Sequence, residues 1–173
     1  GGARFPIRKD IADIEVTDKN GNVWHLWDDI MKGMDVFNFT MEIGPKSIRE
    51  LLEYAGMTVN DIDLFALHQA NKQIVDTIRK HAGLPAEKVP TAAFEKYANL
   101  SCSSCLSVLM ESLRAEMKRA FLCTFGVGLS WGSCILNTTE MYNGKMTVFK
   151  TPECLPTRQE QTGYWIKYFL GEE

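Results

Sequence analysis

The chain has 173 residues, a formal net charge of -3, 45% hydrophobic and 24% charged residues. That length can bury a core, while the slightly acidic charge excludes the basic footprint of a nucleic-acid binder or of a membrane-attracted surface. No apolar run approaches the ~18 residues of a membrane span, and five cysteines set among apolar residues suggest reduced thiols in a cytoplasmic protein rather than a disulfide framework.

Residues 1–6, Gly-Gly-Ala-Arg-Phe-Pro, lack an apolar h-region, so no signal peptide is expected, and the missing initial Met points to a processed or partial chain. Residues 14–17 and 23–26 read as two strands, because Asn20-Gly21 between them supplies the positive φ of a hairpin turn. From Phe39 onward the period becomes helical, with Met41, Ile48, Leu51, Leu52 and Ala55 recurring and Gly56 as a stop. Residues 64–67, Leu-Phe-Ala-Leu, form a short apolar run expected to be a buried strand, with His68 directly after it.

A second helix presents Ile74, Val75, Ile78 and Ala82 on one face and ends at Gly83. Residues 84–99 are expected to be a connection with a short strand near Val89. Ser101 then offers an N-cap to a third helix running to about Met117, with Leu106, Leu109, Met110 and Leu113 turned inward. Residues 120–125 and 129–136 are expected to be two buried strands carrying Cys123 and Cys134, joined by a bend at Gly126-Val127-Gly128. The order predicts a layered α/β domain with a mixed sheet. Residues 139–173 read as a separate extension, a surface strap followed by a short amphipathic helix around Tyr164, Trp165, Tyr168 and Phe169.

Strand ends in α/β folds are where ligands bind. His68 at such an end, close to a helix N-terminus, is expected to have a lowered proton affinity. Asn99 offers an amide N–H, and the pair could stabilise an enolate or oxyanion. The Gly126–Gly128 bend allows backbone N–H groups close to a substrate. Taken singly, each has an ordinary structural explanation: a satisfied histidine, a turn asparagine, a strand-to-strand bend.

In combination these segments resemble the C-terminal half of beta-ketoacyl-acyl-carrier-protein synthase III, a thiolase-fold condensing enzyme. Residues 61–71 (DIDLFALHQAN) resemble the family's active-site histidine motif and residues 83–89 its following loop. Asn99-Leu100-Ser101 resembles its Asn-Thr-Ser motif, residues 125–132 its closing glycine-rich hairpin, and residues 33–37 the loop lining its pantetheine tunnel. The resemblance implies a thiolase-like layered α/β fold over residues 1–138 and a decarboxylating Claisen condensation. His68 and Asn99 would hold the thioester oxygen of malonyl-acyl-carrier protein, and the backbone N–H of Val127 would belong to the oxyanion hole. Gly33, Phe37, Ala70, Asn71 and Phe125 would border the substrate channel. No metal or cofactor is implied beyond the CoA and phosphopantetheine thioesters themselves.

Four departures from the family stand out. The nucleophilic cysteine belongs to the family's N-terminal half and has no counterpart here; Cys102 and Cys105 are expected to pack as small core residues, because no second ligand pair accompanies them for zinc. At positions where the family uses basic residues against its carrier protein stand Asn38 and Gln73, with Lys72 as a neighbouring substitute. The link from Met117 to Ala120 is short, and the 139–173 extension has no counterpart. The expected partners are the N-terminal half carrying the cysteine, acyl-CoA, acyl-carrier protein and a second copy in a homodimer. The alternative is a non-catalytic partner subunit or scaffold of the same fold.

Overall fold

A computed structural model describes residues 8–26, 28, 32–126, 128–144, 147 and 156–171. After a single helical turn, α1 (Lys9–Ala12), strands β1 (Glu15–Thr17) and β2 (Val23–His25) form an antiparallel hairpin. Its loop is organised by Asp18, whose Oδ1 accepts from the N–H groups of Asn20 and Asn22. Gly21 takes the positive φ of 85°. The Asn22 side-chain hydrogen bond, with backbone bonds beside it, lowers the Asp18 pKa to about 2.

Helix α2 spans Gly33–Tyr54, and Gly56 beyond it has a φ of 62°. It therefore begins six residues before the periodicity at Phe39, and the expected tunnel loop at Gly33–Phe37 is its first turns instead. Polar Asp35 and Asn38 hide the apolar period there, yet Asp35 suits a helix N-terminus. Strand β3 (Leu64–Leu67) follows, then α3 (Lys72–His81), α4 (Ala92–Tyr97), α5 (Ser104–Ser112), β4 (Arg119–Gly126) and β5 (Ser130–Asn137). The sheet order is β3-β4-β5, with β3 parallel to β4 and β4 antiparallel to β5, a mixed sheet as expected.

Strand alternation explains why β3 is apolar throughout. Phe65 and Leu67 face one side, packing with Ile48 and Leu52 of α2, Val75 and Ile78 of α3, and Phe121 and Cys123 of β4. Leu64 and Ala66 face the other side, with Ala93 of α4 and Val108 and Leu109 of α5. Helices thus cover both faces, and a continuous apolar strand is what such a sheet requires. Phe65 and Phe121 are fully buried, with ring centroids 5.4 Å apart; each such burial stabilises by about 1.5–3 kcal/mol. Helices α2 and α3 approach closely at Gly44, where a Cβ would lie 3.1 Å from Ile78.

Several expectations are corrected. Near Val89 there is a single 3₁₀ turn, Ala86–Lys88, rather than a strand; the Lys88 ammonium donates to the carbonyls of Val59, Asn60 and Ile62 and holds this turn against the chain before β3. Residues 92–97, expected in a connection, are helical. Helix α5 ends at Ser112, not Met117, so residues 113–118 lie between it and β4. Its start at Ser104 turns Ser104, Cys105, Val108 and Leu109 inward and leaves Leu106 53% exposed. Cys102 is exposed rather than packed, and so is Cys134, because β5 is an edge strand with little cover. Beyond β5, Asn143 Nδ2 reaches the last carbonyls of α5 at Leu109, Met110 and Leu113. Helix α6 (Arg158–Leu170) closes the described chain, capped by Thr157 and Glu160 and exposed along its whole length.

Candidate active site

β3 and β4 run parallel; β3 ends at Leu67 opposite Cys123, while β4 continues to Gly126. His68 continues that ladder by one bond, its N–H donating to the Cys123 carbonyl at 2.8 Å. Its imidazole is half-buried and meets Phe125 edge-on, centroids 6.5 Å apart. Nδ1 is buried with no hydrogen-bond partner among the described residues. Burial lowers the His68 pKa from its ordinary 6.5. The cause is desolvation, not the expected helix N-terminus, since α3 begins four residues later at Lys72.

Asn99 lies in the turn before α5. Its Oδ1 accepts from the Ser101 N–H at 2.9 Å and from the Ser104 hydroxyl at 3.2 Å. Its neighbour Ala98 and Ser101 two residues on hold positive φ angles of 57° and 52°, conformations that cost a non-glycine residue about 1–3 kcal/mol. Ser101 is not the expected N-cap: the caps are Leu100 for the 3₁₀ turn and Ser103 for α5, neither with a side-chain cap bond, and Asn99 Oδ1 takes the Ser101 N–H instead. Residue Cys105, next to Ser104, donates its thiol hydrogen to the Cys123 carbonyl at 3.3 Å, the same oxygen that His68 uses. His68 and Asn99 are therefore joined through Cys123, Cys105 and Ser104.

The other expected site residues vary in their surroundings. Ala70 and Phe37 are half-buried and pack on the core. Phe125 meets Phe39 edge-on at 6.3 Å as well as His68, and Phe39 in turn meets Trp131 at 5.8 Å. The Asn71 Oδ1 accepts from Ile74 N–H at 2.8 Å, making Asn71 the N-cap of α3. Gly33 is exposed with open space around its α-carbon. Val127 lies outside the described residues. Lys72 is engaged by Glu95 at 3.1 Å. No group of three or more His, Cys, Asp or Glu among the described residues could hold a metal ion, and no described helix is long and apolar enough to cross a membrane.

Two participants were not singled out from the sequence. Ser104 carries the link together with Cys105, which is buried as expected of it, and the signal of Ser104 is only that it follows Asn99 at the head of a helix. Gln69, 1% exposed, donates Nε2 to the Leu67 carbonyl at 2.9 Å, while its Oε1 is buried without a partner among the described residues.

Comparison with known proteins fits this architecture. The family model described as 3-oxoacyl-[acyl-carrier-protein (ACP)] synthase III C terminal matches residues 52–138. A beta-ketoacyl-[acyl-carrier-protein] synthase III of Acholeplasma laidlawii is 38% identical over 143 residues, covering 73% of this chain and 46% of that protein. One from Geobacillus kaustophilus is 38% identical over 120 residues, covering 65% and 38%. Among solved structures, a 3-oxoacyl-(acyl-carrier-protein) synthase III superposes with TM-score 0.66 at 34% identity over 79% of this chain and 41% of that one. A synthase from Burkholderia xenovorans LB400 gives 0.59 at 37% identity over 62% and 32%. The chain thus spans less than half the length of these relatives. With its mixed sheet between helical layers, it belongs to the 3-oxoacyl-[acyl-carrier-protein] synthase III family and corresponds to that family's C-terminal region.

Proposed function

We propose that this chain supplies the decarboxylation site of a condensing enzyme that joins a CoA-derived acyl group to malonyl-acyl-carrier protein, with His68 and Asn99 as the two donors to the thioester oxygen. The observation that supports the reading is the linked placement of the two residues: the His68 backbone N–H and the Cys105 thiol share the Cys123 carbonyl, and Ser104, next to Cys105, bonds the Asn99 side chain. Asn99 Oδ1 is occupied twice, so its Nδ2 is the end left to donate. At His68, desolvation favours the neutral ring, which carries one N–H to donate. Two neutral donors stabilise the enolate that forms as carbon dioxide leaves without over-stabilising the ground state.

The nucleophilic cysteine comes from an N-terminal half. Neither buried thiol suits that role: burial pushes Cys105 up to about 12 and Cys123 to about 11, far from a reactive thiolate. The orphaned His68 Nδ1 and Gln69 Oε1 are polar atoms that another half would be expected to satisfy. Val127 N–H contributes to the acyl-enzyme oxyanion hole, and Gly33, Phe37, Ala70, Asn71 and Phe125 border the channel. Residues 139–173 form an extension outside the catalytic fold. The working protein is a cytoplasmic homodimer.

The test is decarboxylation of a malonyl thioester by the complete protein. His68→Ala and Asn99→Ala should each reduce it by ~10²–10³, the usual cost of one oxyanion donor, while acylation of the cysteine suffers less. Normal decarboxylation in both variants would leave the scaffold reading in place.

A further inference from the structure

We infer that Cys102 and Cys105 are a reversible dithiol whose closure to a disulfide dismantles the turn that holds Asn99. The inference rests on the role proposed for Asn99 and adds a modification site to it. The two cysteines straddle the junction between the 3₁₀ turn Ser101–Ser103 and α5. Between them Ser103 (φ −85°, ψ −3°) and Ser104 (φ −58°, ψ −45°) keep the chain in a helical turn. Side chains three apart on such a turn stand about 5–6 Å apart at Cβ, so the approach needed for a disulfide, roughly 3.5–4.5 Å, requires only a local tightening. The pair is also asymmetric: Cys102 is exposed to an oxidant and Cys105 is buried behind it.

The step balances with a small-molecule disulfide as oxidant. The Cys102 thiolate attacks one sulfur, the S–S bond breaks, and the departing thiolate takes up a proton. The Cys105 sulfur, giving up its proton, then attacks Cys102 Sγ in the mixed disulfide and expels the second thiolate, which is protonated in turn. The protein loses two protons and two electrons, and the oxidant, taking up both, becomes two thiols. Burial holds Cys105 up at about 12, so this second step waits on local opening at the head of α5.

The consequence follows from what the turn carries. Cys105 must release the Cys123 carbonyl that it shares with the His68 N–H. Ser101 and Ser104, which both bond Asn99 Oδ1, flank or lie inside the closed loop, and Ser101 sits in a positive-φ conformation with little latitude to shift. Tightening the loop therefore frees the Asn99 amide.

The full chain, equilibrated in oxidised and reduced glutathione, then alkylated and digested, reports the dithiol directly. The peptide holding both cysteines should become two hydrogens lighter and resist alkylation, revert with dithiothreitol, and fail to change in Cys102→Ser. Amide exchange at Ser101 should quicken on oxidation. In the complete protein, malonyl-thioester decarboxylation should fall by about 10²-fold, as when one donor is withdrawn, recover on reduction, and be insensitive in Cys102→Ser. A glutathione adduct that stays on Cys102, a bond from Cys105 to Cys123 or Cys134, or unchanged Ser101 exchange after closure would each overturn the inference. A reduced protein that does not decarboxylate at all sinks the role of Asn99 instead, and the peptide and exchange results still decide the dithiol.

Discussion

His68 and Cys105 share one acceptor: the backbone N–H of the first and the thiol of the second both point at the Cys123 carbonyl, at 2.8 and 3.3 Å. A carbonyl has two lone pairs, so both bonds can be kept, and the end of β3 is thereby fastened to the head of α5. Asn99 is tied to the same point through Ser104. Site and fold are stabilised here by the same few bonds.

That overlap makes Asn99 separable into two functions. Asn99→Ala removes the acceptor for Ser101 and Ser104 and should lower stability by about 1–2 kcal/mol, as well as decarboxylation. Asn99→Asp keeps the acceptor oxygen and loses the amide donor. Its thermal midpoint should stay near that of the parent while decarboxylation drops as far as in the alanine variant. Equal melting losses in both would show that the amide donor, not Oδ1, holds the turn.

His68 should leave a signature in stability against pH. Its folded pKa lies below 6.5 because burial disfavours the imidazolium. The unfolded chain then binds more protons than the native one in that window, so stability contributed by the neutral ring is full above 6.5 and is lost as pH falls below it. Denaturant unfolding from pH 7.5 downward should steepen in this range for the parent relative to His68→Gln. Parallel curves for the two would mean the ring is not desolvated.

Asp63 locks the register of β3 on β4. Its Oδ2 accepts from the N–H groups of Lys118 and Arg119 at 2.8 and 3.0 Å. Burial raises its pKa, but these bonds outweigh it and the net shift is downward. The carboxylate therefore stabilises above its ordinary 3.8 and stops doing so as pH falls through the lower folded value. Asp63→Ala should cost roughly 1–3 kcal/mol at pH 7, leaving two amides short of an acceptor. Urea unfolding measures it.

Association is the last expectation. Leu106, Leu129 and Trp131 are 53%, 48% and 51% exposed, large apolar side chains that a partner surface would cover. Light scattering on the purified chain should give a particle larger than 19.6 kDa, shifting toward the single-chain mass in Leu106→Lys with Trp131→Glu. A monodisperse single chain with cooperative unfolding would show that these side chains need no cover.

What the sequence determined alone is the layered α/β order, the buried strand 64–67, the helix of Ile74, Val75 and Ile78, and the His68 and Asn99 motifs with the family they mark. These are local signals: apolar period, glycine stops at positions 56 and 83, and fixed wording around a strand end. Tertiary structure alone decided the rest. The 33–54 helix carries polar residues in its first turns and a proline inside, so its start is hidden from the apolar period, and its buried residues begin only at Thr40. Cys134 and Leu106 read as core, yet an edge strand and a helix phase set by Ser104 leave both exposed. The indirect link between His68 and Asn99 is likewise invisible in one dimension. It runs through a main-chain oxygen, and every residue has the same one; only the pairing of β3 with β4, and the seating of α5 on them, selects Cys123.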